Sequence, residues 1–285
     1  MMLPAEAPVR RLGPPDLKAC LALSVDREWP AEERKWSLLL EAAEAYGVDD
    51  PGGGLAGSVV LGRYGAKLAS IGMMLVASRY GRQGLGRRLT THVLGQASDA
   101  SVFLTATTYG RPLYEKLGFR TTGRSATFVG RFRPGQTGPA DLTGLTRAAR
   151  EEDLATIMRV DRLAFGADRE YLLRRLSAFS DHVRVLVGNG AVAGYATAWR
   201  NIDVTVIGPV VAPDAAGAQS LITSLARDAG VRVRLDLDPA GRDMVGWAEA
   251  RGLAVVDETA FMVHGPWPPP GDRSRLFCPL TVALG

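Results

Sequence analysis

GMMLVASRYGRQGLGRRL, residues 72–89, runs from an apolar segment through a glycine loop into an amphipathic segment. The spacing predicts a β-strand ending near Val76, the loop Gly81-Arg82-Gln83-Gly84-Leu85-Gly86, and a helix from Arg87 to Ala97. Glycines let the backbone come close to a ligand, and the first turn of a helix presents amides with no intrahelical partner. With the helix dipole, such amides attract a phosphate or diphosphate, and Arg82, Arg87 and Arg88 add positive charge nearby. Read alone, the loop is either an anion site or a glycine-rich turn with no ligand. It is no P-loop, because no Gly-Lys-Ser/Thr follows, and it lacks the Gly-x-Gly-x-x-Gly spacing of a dinucleotide fold.

Outward from the loop, helices and strands alternate. Leu17 to Val25 reads as a helix, and Trp29-Pro30 as the opening of a second, with proline in its first turn. Trp36, Leu39, Leu40, Ala43 and Tyr46 then recur at helical spacing up to Gly47. GSVVLGRY (57–64) and AKLASIGMMLVAS (66–78) read as consecutive strands. After the loop and its helix come a buried strand, SVFLTATT (101–108), a short helix in RPLYEKLGF (111–119), and a closing strand, TFVGRF (127–132). The pattern predicts an α/β domain whose mixed, mostly antiparallel central sheet is flanked by helices.

The pattern is written twice. RRLGPPDL (10–17) is echoed by RAAREEDL (147–154), GLGRRLTTHVL from Gly84 by GAQSLITSLAR from Gly217, and YEKLGFRTTG from Tyr114 by AEARGLAVVD from Ala248. Three matches in order, at nearly constant separation, predict two copies of one fold. A length of 285 residues suits two domains. The expected boundaries are residues 1–134, a Gly- and Pro-rich linker at 135–144, and 145–285 ending in an extended proline-rich tail and an apolar terminal segment.

Composition excludes several classes. No run of about 18 apolar residues occurs and no signal-like segment opens the chain, so a cytoplasmic protein away from membranes is expected. Cys20 and Cys278 lie at opposite ends and the three histidines are scattered, which predicts neither a disulfide framework nor a metal site. The net charge of +4 is almost all arginine over nearly matching acids, without a basic run interleaved with aromatics, so nucleic acid is not an expected partner.

The order of strand GMMLVAS, loop GRQGLG, helix GRRLTTHVL, strand VFLTATT and helix PLYEKLGF resembles the GNAT superfamily of N-acetyltransferases. The resemblance implies two tandem domains of that fold. Leu113-Tyr114-Glu115-Lys116-Leu117-Gly118-Phe119 matches the family's Leu-Tyr-x-x-x-Gly-Phe in full. The loop matches its Gln/Arg-x-x-Gly-x-Gly/Ala at Gly84 and Gly86, but Gly81 stands where Gln or Arg is usual. The resemblance implies acetyl-coenzyme A as cofactor. The backbone of Met74, Leu75 and Val76 would pair with pantetheine as an added strand, and the amides of Arg82, Gln83, Gly84, Leu85, Gly86 and Arg87 would hold the diphosphate. Thr107 stands where the family often has an Asn on the cofactor, or caps the following helix; Tyr114 stands at the place of the general acid that protonates the departing thiolate.

For the base that takes the amine's proton, the candidates are Asp26, Glu28, Glu44 and the terminal carboxylate at Gly285. Trp29, Trp36 and Tyr46 either line an acceptor pocket or belong to the core. In the second copy Asp214 falls opposite Gly81, Gln219 opposite Gly86, Gly241 opposite Thr107 and Ala248 opposite Tyr114, so that copy is expected to be degenerate. Its cluster of Asp161, Arg162, Phe165, Asp168 and Arg169 is either an acceptor contribution or solvated helix charge. The expected activity is acetyl transfer to the primary amine of a small molecule, by a monomer or homodimer; the alternative is an acyl-coenzyme A-binding regulatory or scaffold protein without turnover.

Overall fold

Both copies of the repeat open on the same device. Arg10 grips Asp16 through two hydrogen bonds of 2.7 and 3.2 Å, and Asp16 also accepts from the Gly13 amide. Arg147 grips Asp153 at 2.6 and 2.8 Å, and Asp153 accepts from the Arg150 amide. In each case the carboxylate ties the leading strand to the first helix, as the matched RRLGPPDL and RAAREEDL segments imply. The hydrogen bonds from Arg10 hold the Asp16 carboxyl below its ordinary range, and those from Arg147 hold Asp153 at about 2.

The computed structural model describes residues 7–135 and 146–285, apart from Val231, Trp267 and the side chain of Arg242. Residues 136–144 of the expected linker lie outside the described residues. The chain divides into one unit of Met1–Thr121, Met262–Pro268 and Leu284, and another of Thr122–Phe261, Pro269–Ala283 and Gly285. Each is a mostly antiparallel sheet flanked by helices.

The first unit contains β1 (Arg10–Arg11), α1 (Leu17–Asp26), α2 (Glu33–Ala42), β2 (Glu44–Asp49), β3 (Leu55–Tyr64), β4 (Leu68–Val76), α3 (Leu85–Ala97), β5 (Ser101–Ala106) and α4 (Arg111–Lys116), with sheet order β1-β2-β3-β4-β5. The second helix is shorter than its apolar spacing predicts. Ala43 is already extended, and Tyr46 lies in β2 because residues 44–49 pair antiparallel with β3, from Glu44↔Leu61 to Asp49↔Leu55. Leu85, Leu89 and Val93 bury the inner face of α3 at helical spacing. The helix lies so close on the sheet that a side chain at Gly57 would press on Leu85 and Leu89.

The second unit holds most of β6 (Arg120–Arg131), then β7 (Thr146–Ala148), α5 (Leu154–Phe165), α6 (Glu170–Leu173), α7 (Leu176–Phe179), β8 (His182–Gly188), β9 (Ala191–Asn201), β10 (Val204–Val211), α8 (Ala215–Ala229), β11 (Arg232–Leu237), α9 (Arg242–Ala250), β12 (Leu253–His264) and β13 (Leu276–Cys278). The TFVGRF strand, read as closing the first half, completes this sheet instead. From Ala126 to Arg131 it pairs antiparallel with β11. Ala126 and Phe128, both fully buried, join a core with Leu221, Leu225 and Ala248, which explains the placement. The last residues of β12 belong to the first unit, where His264 packs on Phe119 with ring centroids 5.2 Å apart. Gly118 and Gly252, matched by the repeat, end their helices at φ +87° and +85°.

Candidate active site

The site is built where β4 and β5 part. They run parallel and pair from Leu68↔Ser101 to Ile71↔Leu104, and no pair is made beyond that point among the described residues. A bulge follows at once on the other side of β4. Gly72 pairs with Val60 and Leu75 with Ser58, so Met73 and Met74 together oppose Val59, and Met73 takes φ +47°. The Ser58 hydroxyl fixes the bulge by donating to the Met73 carbonyl at 3.0 Å. The bulge turns the strand out of register while β5 leaves it. The edge of β4 at Met74, Leu75 and Val76 is therefore open, and these are three of the residues expected to bind cofactor.

The loop after β4 is pinned at both ends and open between them. The Asp26 carboxylate accepts from the Ser78 amide at 2.6 Å, and the Ser78 hydroxyl donates to the Asp26 carbonyl. Asp50, buried and accepting from the Gly52 amide at 2.7 Å, pairs with Arg79. At the far end the Thr90 hydroxyl donates to the Gly86 carbonyl at 2.8 Å. Between these anchors Arg82 and Gly84 take φ of +61° and +87°. Gly84 caps α3 without a side chain, so the first-turn amides of Leu85, Gly86 and Arg87 have no acceptor in the helix. Arg82 and Arg87 are exposed beside them, whereas Arg88 turns to the Ala7 carbonyl. A side chain at Gly86 would press on Leu113 of α4 and touch Met74 and Val76 of β4. The loop thus sits against the open strand edge.

Tyr114 is buried on α4 with its ring edge-on to Phe119 at 5.6 Å. Burial alone pushes its phenol pKa up, and no other described side chain hydrogen-bonds its hydroxyl. The hydroxyl thus keeps its proton at neutral pH. Thr107 caps the turn before α4, its hydroxyl oxygen accepting from the Gly110 amide at 3.2 Å. The N-cap of α4 itself is Gly110, with no side-chain hydrogen bond at the cap, so Thr107 holds the turn and does not cap the helix.

The candidate bases fare differently. Asp26 is committed to Ser78. Glu44 lies on β2, not on a helix; burial raises its pKa, but hydrogen bonds from Arg63 and Tyr46 and the nearby charges of Arg63 and Arg11 outweigh burial and hold it below its ordinary range. Glu28 is exposed, and an oxygen of the Gly285 terminal carboxylate accepts from Arg169 at 2.6 Å within the second unit. Trp36 is core, its indole donating to the Ser24 hydroxyl at 2.9 Å; Tyr46 packs on His92, and Trp29 is surface-exposed. The Asp50–Arg79 clamp had no signal in the sequence beyond the turn-forming Asp-Asp-Pro-Gly-Gly-Gly in which Asp50 stands.

In the second unit the Asp161 cluster separates into two. Asp161 and Arg169 form a fully buried bidentate pair at 2.7 and 2.8 Å, joined by the Tyr195 hydroxyl, while Arg169 stacks on Phe165 at 4.1 Å. Arg162 and Asp168 pair at the surface. Asp214 also differs from its sequence alignment. It is the N-cap of α8, the place Gly84 holds in α3, and its carboxylate accepts from the Gly217 amide at 2.8 Å.

The described residues contain no helix long and apolar enough to cross a membrane. Models of the acetyltransferase (GNAT) domain match residues 40–131 and again 157–278. The uncharacterized N-acetyltransferase YitH of Bacillus subtilis is 31% identical over 262 residues, which cover 90% of this chain and 91% of YitH. A Pyrococcus horikoshii crystal structure assigned to the acetyltransferases is 20% identical, covers 99% of this chain and 98% of its own, and has a TM-score of 0.81. A tandem GNAT protein from the clavulanic acid biosynthesis pathway shares the fold at 14% identity, covering 92% of this chain and 99% of its own, with a TM-score of 0.62. With the motif, the open strand edge and the relatives in agreement, the chain belongs to the GNAT family and is an acetyltransferase.

Proposed function

We propose that the chain transfers an acetyl group from acetyl-coenzyme A to the primary amine of a small molecule, and that the first unit does the chemistry. The open edge of β4 beside the glycine-capped start of α3 carries this reading. Met74, Leu75 and Val76 offer main-chain groups to the pantetheine amides, as a sheet edge does to an added strand. The amides from Arg82 to Arg87, at a helix N-terminus headed by Gly84, take the diphosphate, and the exposed Arg82 and Arg87 add charge. Gly81 brings no side chain to that contact, so the backbone and the flanking arginines carry it. When bound, the thioester supplies the activated acetyl group.

Tyr114 holds the transferable proton at its Oη. With burial raising its pKa, it stays protonated and so is available as the proton donor to the departing thiolate. The incoming amine must be neutral to attack. Asp26 and Glu44 are engaged in holding the loop and the β2–β3 edge. The reading is tested by following coenzyme A release from acetyl-coenzyme A across a panel of small amines, with Tyr114→Phe in parallel. The expected result is amine-dependent release, with kcat lowered about 10²-fold in the variant and KM for acetyl-coenzyme A little changed. Release no faster than hydrolysis with every amine, and peptide amines acetylated instead, would refute the small-molecule assignment.

A further inference from the structure

The second unit repeats the geometry of the cofactor groove, and the chain itself lies in it. β10 and β11 run parallel and pair from Val204↔Arg232 to Val206↔Arg234, then stop pairing, as β4 and β5 do. On the other side of β10 comes the same bulge. Ile207 pairs with Ala198 and Val210 with Ala196, so Gly208 and Pro209 oppose Thr197, and the Thr197 hydroxyl donates to the Gly208 carbonyl at 2.6 Å. Superposing the bulges sets Gly208 on Met73, Val210 on Leu75 and Val211 on Val76.

There the likeness ends. Where Leu75 and Val76 face an open edge, Val210 and Val211 pair antiparallel with Cys278 and Leu276 of β13. The Ala212 amide extends the ladder to the Arg275 carbonyl at 3.0 Å. At the other end the Pro279 carbonyl comes so near Gly208 that any side chain there would collide with it. β13 also packs beside β11, and Cys278 is buried in the core with Leu221 and Leu235. The helix start is capped as well, because the Asp214 carboxylate accepts from the Gly217 amide on α8, whereas Gly84 brings no side chain to the start of α3.

We propose that residues 275–279 are an internal ligand. The strand stands in for pantetheine in the parting of β10 and β11, and the Asp214 carboxylate stands in for a phosphate on α8. The strap makes the same kind of contact as the expected cofactor, since both present amides to a strand edge. Its own peptide is tethered and needs no binding from solution. The chain then takes up one acyl-coenzyme A, in the first unit. This part of the inference rests on the first-unit reading above.

The test uses the full chain with coenzyme A as the probe, in calorimetric titration and in hydrogen exchange. One coenzyme A per chain is expected, with new protection confined to β4 and the Gly81–Gly86 loop. The amides of 276–278 and 210–212 should already exchange slowly in the free chain and change less than twofold on saturation. Two coenzyme A per chain, or faster exchange at 276–278 on saturation, would overturn the internal ligand while leaving the first-unit reading intact. No binding at all would sink the first-unit reading; slow exchange at 276–278 in the free chain would still uphold the seated strap, and rapid exchange there would overturn it.

Discussion

Gly84→Ala separates the backbone demands of the loop from its demands on a ligand. Gly84 sits at φ +87°, and a Cβ built there meets no protein atom within 4 Å. The substitution therefore costs the fold only its dihedral strain, ~1–2 kcal/mol for an L-residue in this region, partly offset by the lower entropy of the unfolded chain. A net loss of about 1 kcal/mol is expected. The methyl would enter open space at the start of α3, the region a diphosphate held by its first-turn amides would occupy on the proposed reading. Losing even one charge-assisted hydrogen bond to a phosphate there costs ~1.5–3 kcal/mol, which is about tenfold or more in affinity.

Gly65 is the matched control, since it has φ +66°, lies in the β3–β4 turn and has the same empty surroundings. Urea denaturation should show both variants losing about the same stability, ~1 kcal/mol each. Steady-state kinetics should show KM for acetyl-coenzyme A about tenfold higher for Gly84→Ala and unchanged for Gly65→Ala. If Gly84→Ala keeps its KM within about twofold of the parent while losing the same stability as Gly65→Ala, the loop does not cradle the cofactor.

Two further perturbations bear on the scaffold. Asp16 and Asp153 have folded-state pKa values below their unfolded ones, so their contribution is full above about pH 4 and is lost as the pH falls toward about 2, the folded value of Asp153. Thermal melts from pH 6 to 2.5 should show Tm dropping over that window, with a shallower drop for Asp153→Asn; parallel curves would remove Asp153 from the acid response. Arg169→Met strands the buried Asp161 carboxylate with only the Tyr195 hydroxyl and should cost ~3–5 kcal/mol in chemical denaturation. Adding Asp161→Leu should recover a large part of that loss. A single-variant loss under about 1 kcal/mol would mean that the pair is not the buried, mutually dependent unit described here.

The site was legible where its requirements are local. A glycine N-cap at positive φ, free amides on the first helical turn and a tyrosine one turn into the next helix depend on a few consecutive residues, so the 72–119 stretch could be read directly. Requirements that join distant segments were not legible. Trp36, Leu39, Leu40, Ala43 and Tyr46 fit a helical period, yet pairing with β3 takes Tyr46 into a strand, because strand preference is set by neighbours across the sheet. The alternation in TFVGRF foretold a strand but not which core would bury Phe128. Asp50 and Arg79 stand far apart in sequence, and no spacing rule links them. Asp214 was misplaced by aligning glycines, because α8 starts on a different residue of its loop than α3.

That misplacement bears on how the two copies diverged. A helix that begins beside a sheet edge leaves several amides without partners, and the parting of two parallel strands leaves main-chain groups unpaired; buried without compensation, each such group is costly. The fold creates both deficits in each unit, at Gly84 with Met74–Val76 and at Asp214 with Val210–Val211. In the first unit glycine supplies no side chain, and the proposed acyl-coenzyme A would meet the deficit. In the second, an aspartate and a tethered strand meet it from within. The acid at that helix start takes one of the amides that a ligand would otherwise meet, that of Gly217. On the readings proposed above, the same geometry serves a ligand in the first unit and is filled by the chain itself in the second.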